Sequence, residues 1–405
     1  MQTSFLNDSF LYCRDSSICV IPEACNLYMY VRAKRRSLDR KYLPNTLCLL
    51  RKFKMFFYVF STVFLFTFGL IGTYGKNKEF SFIVRILVFL YLLFFSAIRF
   101  GIGTDYPHYE FYYHAIENGN TIYKFTEPVF YYLNFFCIRL ELDFKVFIAI
   151  CSVLTHVFFF RSVNKESFVY EVLLFYSLIY IQSYCLIRQM LACTISIYAL
   201  KTKFPKWHLC LFWLIIAALI HYTFWMVVFL FVASKYLKFP ILFVVCLSMV
   251  AFLSLYFTDF LRKMLVFSSS FLPIKLNEGY FQLIRRIGVV VLTRYVFMLL
   301  FLYLIAKLEK SNYIINILFF AIFLVEIIGT RMLIFASRFP QTFYAAFFLI
   351  FTKKNNAKIS ALLCKKYAVE KYAFIIMLLL TFFILYVQLL TGFHLNNVVP
   401  YQWIF

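Results

Sequence analysis

Between Lys206 and Lys235 lie 28 residues without one Asp, Glu, Lys or Arg. As a single helix this run would measure roughly 42 Å at about 1.5 Å per residue. The hydrocarbon core of a bilayer is only ~30 Å thick. One crossing would also leave a basic cluster on each side: Lys201, Lys203 and Lys206 before the run, Lys235 and Lys238 after it. A hairpin turning near His221 puts both clusters in the cytoplasm, where basic loop residues are retained. The run 168–201 repeats the pattern, with Arg188-Gln189 in mid-run and lysines at 165 and 201. So does the run 314–352, with Arg331 and Arg338 in mid-run and lysines at 310 and 353.

Hydrophobic residues make up 63% of the chain and charged residues 15%, against about 45–50% and about 25% in a soluble domain. Several apolar runs must therefore face lipid. This excludes a soluble enzyme, a secreted disulfide scaffold and a disordered chain. A net charge of +23 would suggest nucleic acid in a soluble protein. Here it reflects basic residues kept in cytoplasmic loops, and no nucleic-acid partner is expected. The eleven cysteines contain no CxxC pair, so they read as small hydrophobes.

The expected fold is an all-α polytopic integral membrane protein with roughly 10–12 transmembrane helices. The spans fall near 55–74, 80–98, 144–161, 168–184, 186–201, 207–220, 222–234, 240–258, 288–306, 314–330, 334–352 and 373–391. An outer-face loop, about 99–143, carries short interfacial helices. Residues 1–54 hold ten of the 41 basic residues and no span-length apolar run. They read as a basic extension to a single transmembrane domain, 55–405, with Met55 the expected natural start.

Alternation of the spans sorts the charges by type. The expected cytoplasmic side carries sixteen lysines against two arginines, Arg85 and Arg161. The opposite side carries Arg99, Arg139, Arg188, Arg262, Arg285, Arg286, Arg294, Arg331 and Arg338, with four lysines. A topological marker needs only charge, whereas the guanidinium fork grips phosphate or carboxylate through two bonds at once. The segregation implies that the outer face binds something anionic.

The outer loop opens Arg99-Phe-Gly-Ile-Gly-Thr-Asp105-Tyr-Pro-His-Tyr109. Gly101 and Gly103 allow the backbone to turn at the end of a span. Pro107 suits a first helical turn, and Asp105 is placed to cap it. Membrane-edge Arg99 and Asp105 are functional candidates by position. Glu110, His114 and Glu117 share a helix face, but nothing supplies further ligands at diagnostic spacing, so no metal site is expected. Glu127-Pro128 starts an amphipathic helix with Val129, Leu133, Phe136 and Leu140 on one face, an interfacial pattern. Arg188, Gln189 and His221 bring polar groups to hairpin tips on the same face. Arg338, between Ser337 and Pro340, sits where a broken helix would expose it to a water-filled cavity.

Arg99…Gly103-Thr-Asp105-Tyr106…Tyr109, Glu127-Pro128, Ile187-Arg188-Gln189 opening a helix, His221 after an Ala-rich span, Arg338 and the closing Pro400-Tyr401 stand in a telling order. Together they resemble the EpsG-like, Wzy-type polymerases of bacterial exopolysaccharide and O-antigen, over roughly residues 56–405. The resemblance implies glycosyl transfer between undecaprenyl-pyrophosphate-linked oligosaccharides at the periplasmic face of the inner membrane. It implies no cofactor, because the sugar arrives already activated. It also implies the lipid bilayer, a chain-length regulator and a flippase as partners. Asp105 or His221 would be the base; Arg99, Tyr106, Tyr109, Glu127, Arg188, Gln189 and Arg338 would hold substrate. The competing readings are a flippase for the same lipid-linked sugars and a ligase for the finished polymer.

Overall fold

The computed structural model describes residues 44–99, 101–103, 105–121, 123–203, 206–236 and 340–351, together with Leu300, Ile375, Ile376 and Leu379. The sequence readings on Arg262, Arg285, Arg286, Arg294, Arg331, Arg338 and the spans between 240 and 330 lie outside these residues. By internal contacts the chain divides into two units, Met1–Phe56 and Phe57–Phe405. Of the first, only the helical backbone from Pro44 is described.

The described residues outside the turns and loops are helical. The helices are α1 (Pro44–Tyr74), α2 (Lys78–Ala97), α3 (Tyr106–Glu117), α4 (Pro128–Arg139), α5 (Phe144–Ser162), α6 (Phe168–Phe175), α7 (Ile187–Tyr198), α8 (Trp207–Ile220), α9 (Trp225–Tyr236) and the short α10 (Ala345–Phe348). Three stretches are long and apolar enough to span a membrane: Phe57–Tyr74, Lys78–Ala97 and Phe144–Ser162. They match the first three expected spans, and shorter apolar helices follow at Trp207–Ile220, Tyr222–Tyr236 and Gln341–Phe351. This is an all-α membrane protein.

The start of α2 shows why that helix forms where it does. The Asn77 side chain accepts from the amides of Glu79 (2.9 Å) and Phe80 (3.1 Å), which caps the start of α2. On α2 a narrow stripe of Ser81, Val84, Val88, Leu92 and Ser96 is buried, while Phe82, Ile86, Leu90 and Phe94 lie on the exposed face. Small residues inward and large ones outward suit a helix surrounded by lipid. α5 packs between α2 and α7, and α7 packs in turn on α8. α7 is the innermost helix, buried at every position from Gln189 to Ile197.

Two of the three expected hairpins lie within the described residues, and contacts across them establish the fold-back. Trp207, at the start of α8, stacks on Phe231 near the end of α9 (centroids 5.7 Å apart), and Lys235 lies over the Trp207 ring at 4.8 Å. Glu171 at the start of α6 pairs with Lys201 just beyond α7. The Tyr74 and Tyr170 hydroxyls meet at 2.9 Å, and the Val169 amide donates to Thr73 Oγ1 at 3.0 Å. The turn after α1, with Lys76 and Lys78, therefore shares an end with Lys165, Lys201, Lys206 and Lys235. Lys201 lies at this end, as the sequence reading has it, but its side chain is 2% exposed and paired with Glu171, which also accepts from Ser167 Oγ at 2.6 Å and the Asn164 amide at 3.1 Å.

Candidate active site

The opposite end of these hairpins begins with a tight turn after α2. Gly101 (φ 61°) and Gly103 (φ 102°) occupy the left-handed region. A Cβ on Gly103 would come within 2.2 Å of the Tyr184 carbonyl oxygen. The glycine pair therefore both turns the chain and lets it press against the break between α6 and α7. Asp105 precedes α3 as expected and Pro107 falls in its first turn, but the Asp105 side chain makes no capping hydrogen bond. Its backbone is in the helical region (φ −92°, ψ −3°), so the carboxylate cannot swing onto the first amides as an extended cap residue's would.

Glu127 ends the loop between α3 and α4, and its carboxylate is 1% exposed. One oxygen, Oε2, accepts from Nη1 of Arg188. The other, Oε1, accepts from Nδ1 of His221 at 2.5 Å and from the Tyr222 amide at 3.4 Å. Three segments far apart in sequence thus converge on one carboxylate. Arg188 comes from the first turn of α7, where the positive end of the helix dipole disfavours a cation; Glu127 offsets that cost. His221 adopts an extended backbone (φ −146°, ψ 115°) that ends α8, and a single turn, Tyr222–Phe224, follows before α9.

Aromatic rings enclose the ion pair. The Arg188 guanidinium lies 4.3 Å from the Tyr123 ring centroid, 5.4 Å from Tyr109 and 5.5 Å from Phe130. Tyr123 has φ 66°, an uncommon conformation for a residue with a bulky side chain. Burial pushes the Tyr109 and Tyr123 phenols up, against the lowering effect of Arg188. Burial also acts to raise the Glu127 carboxyl. The hydrogen bond from His221, the Arg188 charge and the Tyr222 amide outweigh it and hold the group below the ordinary carboxylate range. Glu127 is therefore an anion at neutral pH. An ionised carboxylate only accepts, so His221 must donate from Nδ1, which leaves its lone pair on Nε2.

A family model described as the EpsG family matches residues 82–403, well over half of the chain. The chain belongs to the EpsG family. No curated protein and no solved structure matches it. EpsG-family membership, with the apolar helices, supports a membrane protein of polysaccharide biosynthesis.

In this EpsG-family chain, the expected residues divide into groups. Glu127, Arg188, His221 and Tyr109 come together. Gln189 lies beside them, its Nε2 donating to Thr342 Oγ1 at 3.2 Å, and Thr342 donates to Thr223 Oγ1 at 3.1 Å. That chain of bonds ties α7, the start of α9 and the 340–351 segment together. Arg99 and Tyr106 lie apart, Arg99 over the Tyr184 ring at 4.8 Å and Tyr106 against Phe144 at 5.3 Å. Asp105 sits one helical turn before Tyr109, and its charge adds to the rise of the Tyr109 phenol. The His114 ring bonds Glu117 at 2.9 Å in the open, and no cluster of three metal-binding side chains occurs among the described residues. On α4 the exposed stripe is Tyr132, Phe136 and Leu140, while Val129 and Leu133 are half-buried, so the outward face is turned by one position from the expected one.

Sequence reading missed Tyr123, Thr223 and Thr342 as members of this cluster. Thr223, two residues from His221, and Thr342, two residues after Pro340, both follow the helix-interrupting residues that the reading did single out. Tyr123 carried no such mark.

Proposed function

We propose that this chain polymerises undecaprenyl-pyrophosphate-linked oligosaccharide repeats into O-antigen, capsule or exopolysaccharide. The end bearing Arg99, Arg188 and His221 faces the periplasm, and the lysine-rich end faces the cytoplasm of a bacterial inner membrane. The observation that carries this reading is the Glu127 carboxylate shared by His221 and Arg188. A carboxylate on Nδ1 fixes the imidazole tautomer and stabilises the imidazolium that forms when Nε2 takes a proton. His221 is then the base for an acceptor sugar hydroxyl. The hydroxyl oxygen attacks the anomeric carbon of the donor chain, the bond from that carbon to the lipid diphosphate breaks, and the diphosphate leaves with the electron pair. The proton passes to His221 Nε2.

Arg188 acts mainly by holding Glu127, since that carboxylate already engages its Nη1. Arg99 and Arg338 are the cations assigned to the developing diphosphate charge. Tyr109 and Tyr123 pack over Arg188 and hold it toward Glu127, and Gln189, bonded to Thr342, holds the start of α7 in register. A chain-length regulator and a flippase complete the set of partners in this reading.

Deletion of the gene, followed by a gel of surface polysaccharide, tests the assignment. A polymerase deletion leaves glycan of a single repeat. Loss of all glycan from the lipid core instead would make the chain a flippase or a ligase. Complementation with Glu127→Gln and His221→Gln should leave the single-repeat band with normal protein abundance in the membrane.

A further inference from the structure

Arg188 and Gln189 are neighbours at the start of α7, and each reaches the same turn through one intermediary. Arg188 donates to Glu127, which accepts from His221 Nδ1 at 2.5 Å and from the Tyr222 amide at 3.4 Å. Gln189 Nε2 donates to Thr342 Oγ1 at 3.2 Å, and the Thr342 hydroxyl donates in turn to Thr223 Oγ1 at 3.1 Å. His221, Tyr222 and Thr223 are consecutive, so the two bridges close into a ring. Its members come from four segments: α7, the outer loop, the turn between α8 and α9, and residues 340–351. The first bridge is ionic and ends on the imidazole itself. The second is neutral and ends two residues further along the turn.

The second bridge stands where polar groups are costly. Gln189, Thr223 and Thr342 are all buried, Thr342 completely. An amide or hydroxyl in such surroundings must find its partners within the protein, and removing one partner strands the other. A hydroxyl has a single proton, and with Gln189 donating to Thr342 that proton goes to Thr223. The segment carrying Thr342 is held again at its far end. Phe348 meets Phe159 of α5 at 5.6 Å, and the Phe351 carbonyl accepts from the Asn164 side chain. Every residue from Gln341 to Phe351 is buried except the half-buried Tyr344. Thr342 is therefore a fixed point, whereas His221 lies at a single turn between two helices. Within lipid the hydrophobic effect does not draw helices together, so such polar contacts decide how they sit against one another.

We infer that Thr342 is a positioning residue for His221: it holds the turn that carries the imidazole, through Thr223, while Glu127 holds the ring. One hydrogen bond to Nδ1 leaves the ring free to pivot and does not define where Nε2 points. A second attachment on the same turn removes that freedom. A catalytic group has to be kept within about 0.5 Å of its working position, and two struts of different chemistry from adjacent residues of α7 meet that demand. Thr342 acts through Thr223 and takes no part in the bond changes. That Nε2 is the base rests on the polymerase reading above; the hold of Thr342 on the turn does not.

The test is carbethoxylation of His221 by diethyl pyrocarbonate in the purified full-length protein in detergent, near neutral pH, read by mass spectrometry of the peptide. The His221 side chain is 14% exposed, so the rate reports how often the turn opens. His114, 56% exposed on the outer loop, is the internal reference. Thr342→Val keeps the shape without the hydroxyl and should label His221 roughly fivefold faster, the ratio that one lost hydrogen bond is worth. Thr223→Val should do the same, and the double variant should be no faster than Thr342→Val alone, since both break one shared bond. Thr342→Ser keeps the hydroxyl and should label as wild type. So should Ser196→Ala, which removes a buried hydroxyl bonded within α7. By gel, Thr342→Val should shorten the polymer and Thr342→Ser restore it. Wild-type labelling in Thr342→Val overturns the inference. Equal acceleration in Thr342→Ser or Ser196→Ala also overturns it, because loosened packing and not the hydroxyl would then be the cause. Normal polymer in Thr342→Val where Glu127→Gln has none overturns it as well. Faster labelling with normal polymer in both Thr342→Val and Glu127→Gln keeps the hold on the turn and removes His221 as the base. Polymer lost in Glu127→Gln, with His221 labelled at the wild-type rate in Thr342→Val, leaves the base standing and removes Thr342 from its support.

Discussion

The Glu127–Arg188 pair can be weighed by taking it apart from both sides. Glu127 is 1% exposed and Arg188 17% exposed, so water does little to screen either charge. Breaking a buried pair by removing one partner costs about 3–5 kcal/mol, because the survivor stays buried and unpaired. Glu127→Gln is the mildest cut. Its amide oxygen can still accept from His221 or the Tyr222 amide, so only the charge and one bond are lost, and the low end of ~3 kcal/mol applies. Arg188→Gln leaves Glu127 with two of its three partners, and should cost less, about 2 kcal/mol. The double variant buries two neutral amides that can bond one another. It should recover on the order of 2 kcal/mol of the summed losses, as contacting residues do.

The assay is unfolding in mixed micelles by denaturant titration, followed by far-ultraviolet circular dichroism. A loss of ~3 kcal/mol shifts the unfolding constant by roughly a hundredfold, since about 1.4 kcal/mol is a factor of ten. The same three variants are scored for polymer by gel. The double variant should regain stability yet stay without polymer, because nothing charged then orients His221. Strict additivity of the two single losses would refute the ion pair. Normal-length polymer from the double variant would refute the chemistry built on it.

Other consequences are open to measurement. Because the folded Glu127 carboxyl lies below its ordinary value, its contribution is fully present above the unfolded carboxylate pKa, near ~4.3, and is lost as pH falls toward the lowered folded value; the acid limb of a stability profile should flatten in Glu127→Gln. At the other end, Lys201→Met alone strands Glu171 and should cost about 3–5 kcal/mol, whereas Lys201→Met with Glu171→Leu should be near neutral, read by the same titration. A membrane-impermeant thiol reagent applied from the periplasm should label Phe125→Cys, whose position is 89% exposed, and spare Lys206→Cys; labelling of the latter would invert the topology. Tyr123→Phe should keep polymer length, since the ring over Arg188 remains, while Tyr123→Gly should relax the backbone yet shorten the polymer.

The helical fold was legible because apolar runs and lysine positions are one-dimensional quantities. The 28-residue run between Lys206 and Lys235 is too long to cross once, and the fold-back that follows is what places Lys235 over Trp207. The glycine turn after α2 was equally legible, since a span must end and only a few residues tolerate positive φ. The partnership of Glu127 was not. Its distances in sequence to Arg188 and His221 are 61 and 94 residues, and no local periodicity encodes a contact at that range. The partner of Lys201 was hidden for a related reason: a lysine at the end of an apolar run marks a side of the membrane, and nothing local announces that Glu171, 30 residues away, is brought beside it.

The two buried acids then explain each other's placement. A membrane hairpin gains little from the hydrophobic effect once inside lipid, so its register depends on small-residue packing and polar contacts. In this chain the helix α7 carries one cation at each end, Arg188 at its start and Lys201 just past its finish, and each meets a glutamate from another segment. Glu171 binds α7 to its own hairpin partner, α6, and the neighbouring Asn164 side chain donates to the carbonyl of Phe351. Glu127 binds α7 to the next hairpin and to the outer loop. One pair is closed by hydrogen bonds from Ser167 and Asn164 and so serves to fix register. The other ends on the His221 imidazole, which the polymerase reading uses as the base. The same device, a buried glutamate against a cation at an end of α7, therefore fixes register at the lysine end and, in the polymerase reading proposed above, also orients the base at the arginine end; the two differ in their cation and in having a hydroxyl or a histidine as the second partner.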